Sequence, residues 1–172
     1  MTSKPPWIRS VGRRVDAGAC DMTVTLRIAA EVHNLAAIRH FIQETGAALD
    51  ASTSAIDDLV LAVDESATNI IKHGYRGQPG DIEIEVWRED EAVVVRLRDQ
   101  APPFDPTCLE DPDLTLPLDR RPVGGLGVFL TRRLVDAVTH RLTSQGGNEL
   151  TLTKKANSQS IISQETTHEH DQ

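Results

Sequence analysis

An amphipathic stretch centred on residues 61–75 constrains the fold of this chain more than any other feature. At about 100° per residue, its apolar side chains fall on one stripe, which predicts a core-facing helix. Glu65, Asn69 and Lys72 line up on the opposite side, because residues three and four apart are neighbours on a helix. His73 lies at the border of that row. The apolar stripe consists of Ile56, Leu59, Val60, Val63, Ala67, Ile70 and Ile71.

The polar row of this helix carries groups with useful chemistry. A carboxylate takes up a proton, an amide oxygen suits a hard cation, and an ammonium group suits phosphate. Taken alone, such a row is more often a solvated helix face, and His73 is as readily explained by local packing near the helix end. The segments that follow in the chain favour a functional interpretation.

Composition limits the class of protein. The 172 residues predict one domain with tails, and 39% hydrophobic with 26% charged residues is typical of a globular protein. The chain shows no apolar run of membrane-spanning length and no signal-peptide core, which predicts a cytoplasmic protein that does not bind membranes. Cys20 and Cys108 form neither a disulfide framework nor a metal-site spacing. The net charge of −8 argues against nucleic acid as a direct partner.

The first half of the chain reads as a leader, a strand and two helices. Residues 1–19 lack periodicity and are expected to be a flexible leader. Residues 21–28 alternate as a strand does, and residues 32–49 repeat apolar side chains at helical spacing. Ser54 and Asp57 resemble a capping pair at the start of the central helix.

After the central helix, alternation at residues 82–86 and 93–97 predicts a hairpin, so the sheet is antiparallel with helices over its apolar face. Residues 100–123 hold six of the nine prolines and predict a lid or binding loop.

A glycine-rich turn at residues 124–127 follows the predicted lid and opens a further helix. Free backbone N–H groups and the helix dipole favour an anion such as phosphate there. A second hairpin follows the helix, and residues 156–172 are expected to be a disordered polar tail.

Three motifs in this order resemble those of the GHKL (Bergerat) ATPases, and in particular the RsbW-type anti-sigma factor serine/threonine kinases. Glu65-Ser66-Ala67-Thr68-Asn69 with His73-Gly74-Tyr75 is similar to the N box of that family. Residues 99–106 are similar to its first glycine box, and residues 124–130 to its second. The resemblance implies an α+β fold over residues 20–155: a two-layer α/β sandwich of the Bergerat type. Its mixed, mostly antiparallel sheet would be covered on one face by about three helices.

The resemblance also implies roles for individual residues. Asn69 would hold the Mg²⁺ that bridges the phosphates of ATP, and Glu65 would be the general base that deprotonates a protein hydroxyl. Asp99 would accept a hydrogen bond from the adenine amino group, whereas without the family it reads as a strand-end cap. Lys72 takes the place of a phosphate-contacting basic residue of related histidine kinases. The full predicted nucleotide site is Asn69, Lys72, His73, Asp99, Ala101, Gly124, Gly125, Leu126, Gly127 and Val128.

The sequence departs from the family pattern at three places. Ala101 replaces a glycine of the first glycine box, and its methyl group is expected to narrow the adenine pocket or to exclude a conformation with φ > 0. Pro103 replaces a further glycine and stiffens the start of the lid. Asn148 stands after Gly147 where many relatives have threonine, so the usual threonine contact near adenine is not supplied in the same form.

Two classes of function follow from these features. The first is a kinase that uses ATP and Mg²⁺ to phosphorylate a STAS-domain anti-anti-sigma factor, binds a sigma factor in a partner-switching circuit, and is expected to form a homodimer as its relatives often do. The second is a non-catalytic module that sequesters a sigma factor or another regulator, with nucleotide binding weakened at Ala101 and Asn148. A histidine kinase is disfavoured, because no helix with a phospho-acceptor histidine precedes the domain in this sequence.

Overall fold

The structure is a computed structural model that describes residues 10–13, 22–105 and 126–157. Its sheet has six described strands in the order β1-β2-β3-β4-β6-β5, and every pair is antiparallel. The predicted mixed sheet is therefore corrected to an antiparallel one within the described ranges. The strands are β1 Ser10–Arg13, β2 Met22–Ala29, β3 Asp81–Glu89, β4 Ala92–Asp99, β5 Ala137–Leu142 and β6 Asn148–Lys155.

Three α-helices in the described residues form the second layer, which confirms the predicted α+β class. A 3₁₀ turn at Val32–Asn34 leads into α1, and a π-helical turn at Ile70–Tyr75 continues α2. The helices are α1 Leu35–Ala48, α2 Thr53–Asn69 and α3 Leu126–Leu134. None of the helices in the described part of the chain combines the length and hydropathy needed to cross a bilayer.

One hydrophobic core lies between the helices and the inner face of the sheet. The alternating residues of the central hairpin supply the sheet side, and they are fully buried: Ile82, Ile84, Val86, Val93, Val95 and Leu97. The helices supply the other side of the core with equally buried side chains, including Ile38, Phe41, Leu59 and Val63. Burial of each such side chain stabilises the fold by about 1.5–3 kcal/mol, so the hairpin and the first two helices form the rigid base of the molecule.

The start of α2 differs from the prediction. Ser52, not Ser54, is the N-cap: it has extended backbone (φ −63°, ψ 151°) and its hydroxyl accepts the N–H of Ala55 at 3.3 Å. Ser54 lies within the first turn of the helix. The predicted pairing of Ser54 with Asp57 is therefore wrong, because the helix begins two residues earlier.

A buried ion pair ties the two helices of the site to the sheet. Asp58 of α2 lies 2.8 Å from the Nζ of Lys154 on β6, and both side chains are almost completely buried. Lys154 also donates to the carbonyl oxygen of Leu134 at 2.7 Å, at the end of α3. The ammonium group therefore connects α2, α3 and β6, which are the elements that surround the candidate site.

The expected tails are shorter than predicted. Ser10–Arg13, within the predicted leader, pairs with the first half of β2. Ala156 was assigned to the polar tail, yet it is buried, and its N–H donates to the carbonyl oxygen of Glu91 at 2.7 Å. Its own carbonyl accepts the N–H of Ser52 at 2.7 Å. The remaining leader and tail residues, 1–9, 14–19 and 158–172, lie outside the described residues.

Candidate functional site

The central helix changes its winding directly after the residue predicted to hold Mg²⁺. It is α-helical up to Asn69, and the π-helical turn follows at Ile70–Tyr75. Such turns are rare and are found frequently at functional sites. The hydroxyl of Tyr75 donates to the carbonyl of Asp81 and accepts the N–H of Gln100, each at 2.9 Å. The end of this helix is therefore tied to the end of β4.

A cleft opens between α2, α3 and the ends of β4, β5 and β6. Among the described residues, its polar side chains are Ser66, Asn69, Asp99, Thr131, Arg132, His140 and Asn148, and its apolar walls include Ile70, Ala101, Phe104, Val128, Val138 and Leu150. Apolar walls with a few convergent polar groups are the usual form of a small-molecule site. Two residues that the sequence placed 30 positions apart, Asn69 and Asp99, lie in the same cleft.

Asp99 is fixed as an acceptor at the base of the cleft. It is the last residue of β4 and is only 5% exposed. Its Oδ1 accepts hydrogen bonds from the N–H of Ala101 and from Nδ2 of Asn148, both at 2.9 Å. Burial raises the pKa of Asp99, although these two hydrogen bonds and the nearby His140 act to lower it. Both hydrogen bonds fall on Oδ1, which orients the carboxylate.

Asn148, the first residue of β6, connects this carboxylate to the start of the predicted lid. Besides Asp99, its Nδ2 donates to the carbonyls of Ala101 at 3.2 Å and Pro102 at 3.3 Å. Its Oδ1 accepts the N–H of Phe104 at 3.0 Å. Asn148, which the sequence indicated only as a missing threonine, thus holds residues 101–104 against the sheet.

His140 on β5 extends the same network. Its side chain is 5% exposed, its Nδ1 lies 3.5 Å from the carboxylate of Asp105, and its Nε2 lies 3.3 Å from Oδ1 of Asn148. Both ring nitrogens therefore face acceptors. His140 therefore connects Asn148 on β6 with Asp105 in the described part of the predicted lid.

Ala101 lines the cleft without the left-handed conformation that its sequence position raised as a conflict. The described non-glycine residues with positive φ are Asp50, Arg76 and Asp90, so Ala101 needs no left-handed conformation. Its methyl group is buried against Gly74, where an added Cβ would lie 2.9 Å from it. The space for the methyl group is therefore provided by the π-helical turn, and the expected conflict with φ > 0 is corrected.

Glu65 lies beside the cleft, one helical turn before Asn69. It is partly exposed, and its carboxylate lies against Gly127 in the first turn of α3. A Cβ at Gly127 would overlap Oε2 of Glu65. The two residues that the motifs linked to base and metal are therefore on one helix, about 6 Å apart along its axis.

The other predicted site residues divide into three groups. Val128 lines the cleft, and Leu126 begins α3. Lys72 and His73 are exposed on the π-helical turn and do not belong to the cleft lining among the described residues. Gly124 and Gly125, with residues 106–123 of the predicted lid, lie outside the described residues.

Sequence reasoning missed Asn148, His140 and Arg132 as cleft residues. Asn148 has a usable signal in the sequence, since it stands where many relatives have threonine and its amide can also form hydrogen bonds. His140 and Arg132 gave no signal, because their place in the cleft depends on how β5 and α3 pack.

The comparison with known families follows from this geometry. The sequence profile of the histidine kinase-like ATPase domain matches residues 28–154. The chain belongs to this family. Residues 28–154 include α1, α2, α3, the β3–β4 hairpin and every residue that lines the described cleft. Membership of an ATPase family identifies ATP as the nucleotide for which such a domain is built.

Two relatives of this chain carry the same name. The "Serine-protein kinase RsbW" of Listeria monocytogenes serovar 1/2a is 28% identical over 143 residues, which is 80% of this chain and 90% of that protein. The protein of the same name from Bacillus cereus strain G9842 is 25% identical over 119 residues, 67% of this chain and 74% of that protein. The RsbW-type resemblance of the motifs is thereby confirmed.

A solved structure of the family has the same fold. It is the crystal structure of the RsbU and RsbW domains of Rv1364c from Mycobacterium tuberculosis, with a TM-score of 0.55 and 22% sequence identity. The match covers 79% of this chain but only 33% of that chain, so this histidine kinase-like ATPase domain spans about a third of that longer protein.

Proposed function

We propose that this chain is a protein serine/threonine kinase that uses Mg²⁺ and ATP to phosphorylate a STAS-domain anti-anti-sigma factor. In the same proposal it also acts as an anti-sigma factor: the unphosphorylated STAS-domain protein frees the sigma factor, and phosphorylation returns the kinase to the sigma factor. The observation that carries the proposal is that Asp99 and Asn69 line one cleft, while Glu65 lies one helical turn before Asn69 on α2.

The residues fit a magnesium–nucleotide complex better than a free metal ion. Among the described residues, no group of three or more His, Cys, Asp or Glu is placed to hold a metal. Mg²⁺ is commonly bound by one or two protein ligands together with substrate phosphates, so a single amide oxygen at Asn69 suits it. When bound, the ion neutralises charge on the phosphates during transfer.

The side chains of the cleft supply positioning, and Glu65 supplies the proton acceptor. Asp99, held by Asn148 and by the N–H of Ala101, offers an acceptor to an amino group at the edge of an adenine ring. Glu65 takes the proton of the serine or threonine hydroxyl while the hydroxyl oxygen bonds to the γ-phosphorus. The bond between the γ-phosphorus and the oxygen of ADP breaks, and ADP leaves. Phosphoryl transfer depends mainly on such positioning and on charge stabilisation.

The test is phosphate transfer from ATP to a STAS-domain protein. Glu65→Ala should lower kcat by about 10²–10⁴-fold while ATP still binds, because only the proton acceptor is lost. Asn69→Ala should abolish the dependence of ATP affinity on Mg²⁺. Asp57→Ala removes an exposed carboxylate from the same helix and serves as the matched control, with unchanged transfer expected. Absence of transfer by the unaltered protein, or equal transfer by the Glu65 variant, would contradict the proposal.

The second candidate is a binding module without kinase activity, which the sequence suggested through Ala101 and Asn148. The absence of a positive φ at Ala101 removes one reason for it. The hydrogen bonds of Asn148 to Asp99 and to the lid start weaken the other. Calorimetry with ATP and ADP separates the two, since Mg²⁺-dependent binding at micromolar concentration contradicts a closed pocket.

A further inference from the structure

Gly127 has an unusual neighbour for a glycine near the start of a helix. A Cβ built on it would overlap Oε2 of Glu65, lie 3.3 Å from its Cδ, and lie at an ordinary 3.7 Å from its Cβ. The conflict therefore involves the carboxylate end of Glu65 and not the backbone or the first carbon of its side chain. Glu65 occupies the volume in which any other residue at position 127 would place its side chain.

Buried contacts after Gly127 hold α3 on α2 and on the sheet. Thr131, one turn after Gly127, is 4% exposed and donates its hydroxyl to the carbonyl of Gly127 at 2.9 Å. The same hydroxyl lies 3.5 Å from the carbonyl of Ala62, one turn before the Glu65 level of α2. Lys154 holds the other end of α3 through Leu134. A side chain at 127 would therefore displace the carboxylate and leave the helices in place.

We propose that Gly127 is a positioning residue for Glu65: its missing side chain makes the space that holds the carboxylate at the first turn of α3. The inference rests on the proposed function, in which Glu65 is the proton acceptor. It gives Gly127 a role separate from contact with phosphate. Glycine is otherwise unfavourable in a helix, and here its lack of a side chain is what the base requires.

The first test measures stability and needs no enzymatic activity. Gly127→Ala is made in three backgrounds: the unaltered chain, Glu65→Ala and Glu65→Gln. In the Glu65→Ala background nothing opposes the better helix former, so alanine at 127 should raise Tm by about 2 °C. In the unaltered and Glu65→Gln backgrounds the rise in Tm should be smaller or absent, because the long side chain at position 65, glutamate or glutamine, must move to make room for the new methyl group. Equal shifts in all three backgrounds would overturn the inference, as would a glutamine that behaves like alanine.

The second test separates positioning from phosphate binding. In the unaltered background, Gly127→Ala should lower kcat for phosphate transfer on the order of 10²-fold, as expected for a misplaced catalytic group, while the Kd for ATP changes less than threefold. In the Glu65→Ala background the same substitution should leave the residual kcat unchanged. A weakened Kd with kcat retained would overturn the inference in favour of a phosphate contact. If the unaltered chain transfers no phosphate, the proposed function fails, and the Tm comparison still decides the steric claim.

Discussion

Replacement of Asn148 by alanine tests how the base of the cleft is built. The substitution removes the side-chain donor of Asp99 at 2.9 Å and the acceptor of the Phe104 N–H at 3.0 Å. It also removes the donor to the carbonyls of Ala101 and Pro102. Buried polar groups left without partners cost about 1–3 kcal/mol each, but the cleft admits water to some of them. We expect a loss of about 2 kcal/mol, which is roughly 4–8 °C in Tm for a chain of this size.

The same substitution should weaken ATP binding about tenfold, equivalent to about 1.4 kcal/mol, because Asp99 and the lid start are no longer held in place. The hydrogen bond from Asn148 is one of the influences that lower the pKa of Asp99 against the effect of burial. Loss of this hydrogen bond raises the pKa of Asp99 further, so Asp99 becomes protonated at a higher pH. As the pH is lowered, the variant should therefore lose ATP affinity at a higher pH than the unaltered chain does. Calorimetric titrations with ATP at several values between about pH 5 and 8 measure both effects.

Asn148→Thr is the matched control for this prediction. A threonine hydroxyl can still donate one hydrogen bond to Asp99, but with a single donor it cannot at the same time donate to the carbonyls of Ala101 and Pro102. We expect it to recover most of the ATP affinity and little of the lost Tm. An alanine variant that binds ATP within twofold of the unaltered chain, with the same pH dependence, would refute the reasoning.

Three further predictions concern single side chains. Asp99→Asn should reduce ATP affinity in calorimetry yet raise stability to urea at pH 7, because burial raises the pKa of Asp99 and stability is lost as pH rises through that raised value. Lys154→Met removes the ammonium group that pairs with the buried carboxylate of Asp58 and should cost about 3–5 kcal/mol in urea unfolding. Burial acts to raise the pKa of Glu149, but hydrogen bonds from Arg141 and Arg98 hold it below its usual range. Glu149→Gln should therefore destabilise the chain at pH 7, with the difference disappearing in urea titrations as pH falls through that lowered pKa.

The secondary structure was largely predictable because the buried apolar residues recur along the sequence with the period of the helix or strand that carries them. Residues 82–86 and 93–97 alternate since one face of their hairpin is fully buried, and the apolar stripe of α2 reflects its contact with the same core. The strand β1 was not predictable, since its four residues gain their order from pairing with β2. The N-cap was misplaced because Ser52 and Ser54 are both good capping residues, and only backbone conformation distinguishes them.

The candidate site was predictable where a motif carries it and not where packing carries it. Asn69 and Asp99 were placed by motif and lie in one cleft. The contacts of Asn148 join residues 44 to 49 positions apart, so no local pattern reveals them. The phosphate role of Lys72, which the resemblance to histidine kinases implies, stays a prediction: Lys72 lies on the π-helical turn after Asn69 and does not line the described part of the cleft.

The contact between Ala101 and Gly74 has a consequence for how this chain can change by mutation. An alanine at position 101 is compatible with glycine at 74, whereas alanines at both positions would bring two methyl carbons to 2.9 Å. Each substitution is therefore acceptable or harmful according to the other, as is usual for residues in direct contact. A lineage carrying Ala101 must return to glycine there before it can lose Gly74, so the order of mutations, and not only their identity, is restricted at this end of the cleft.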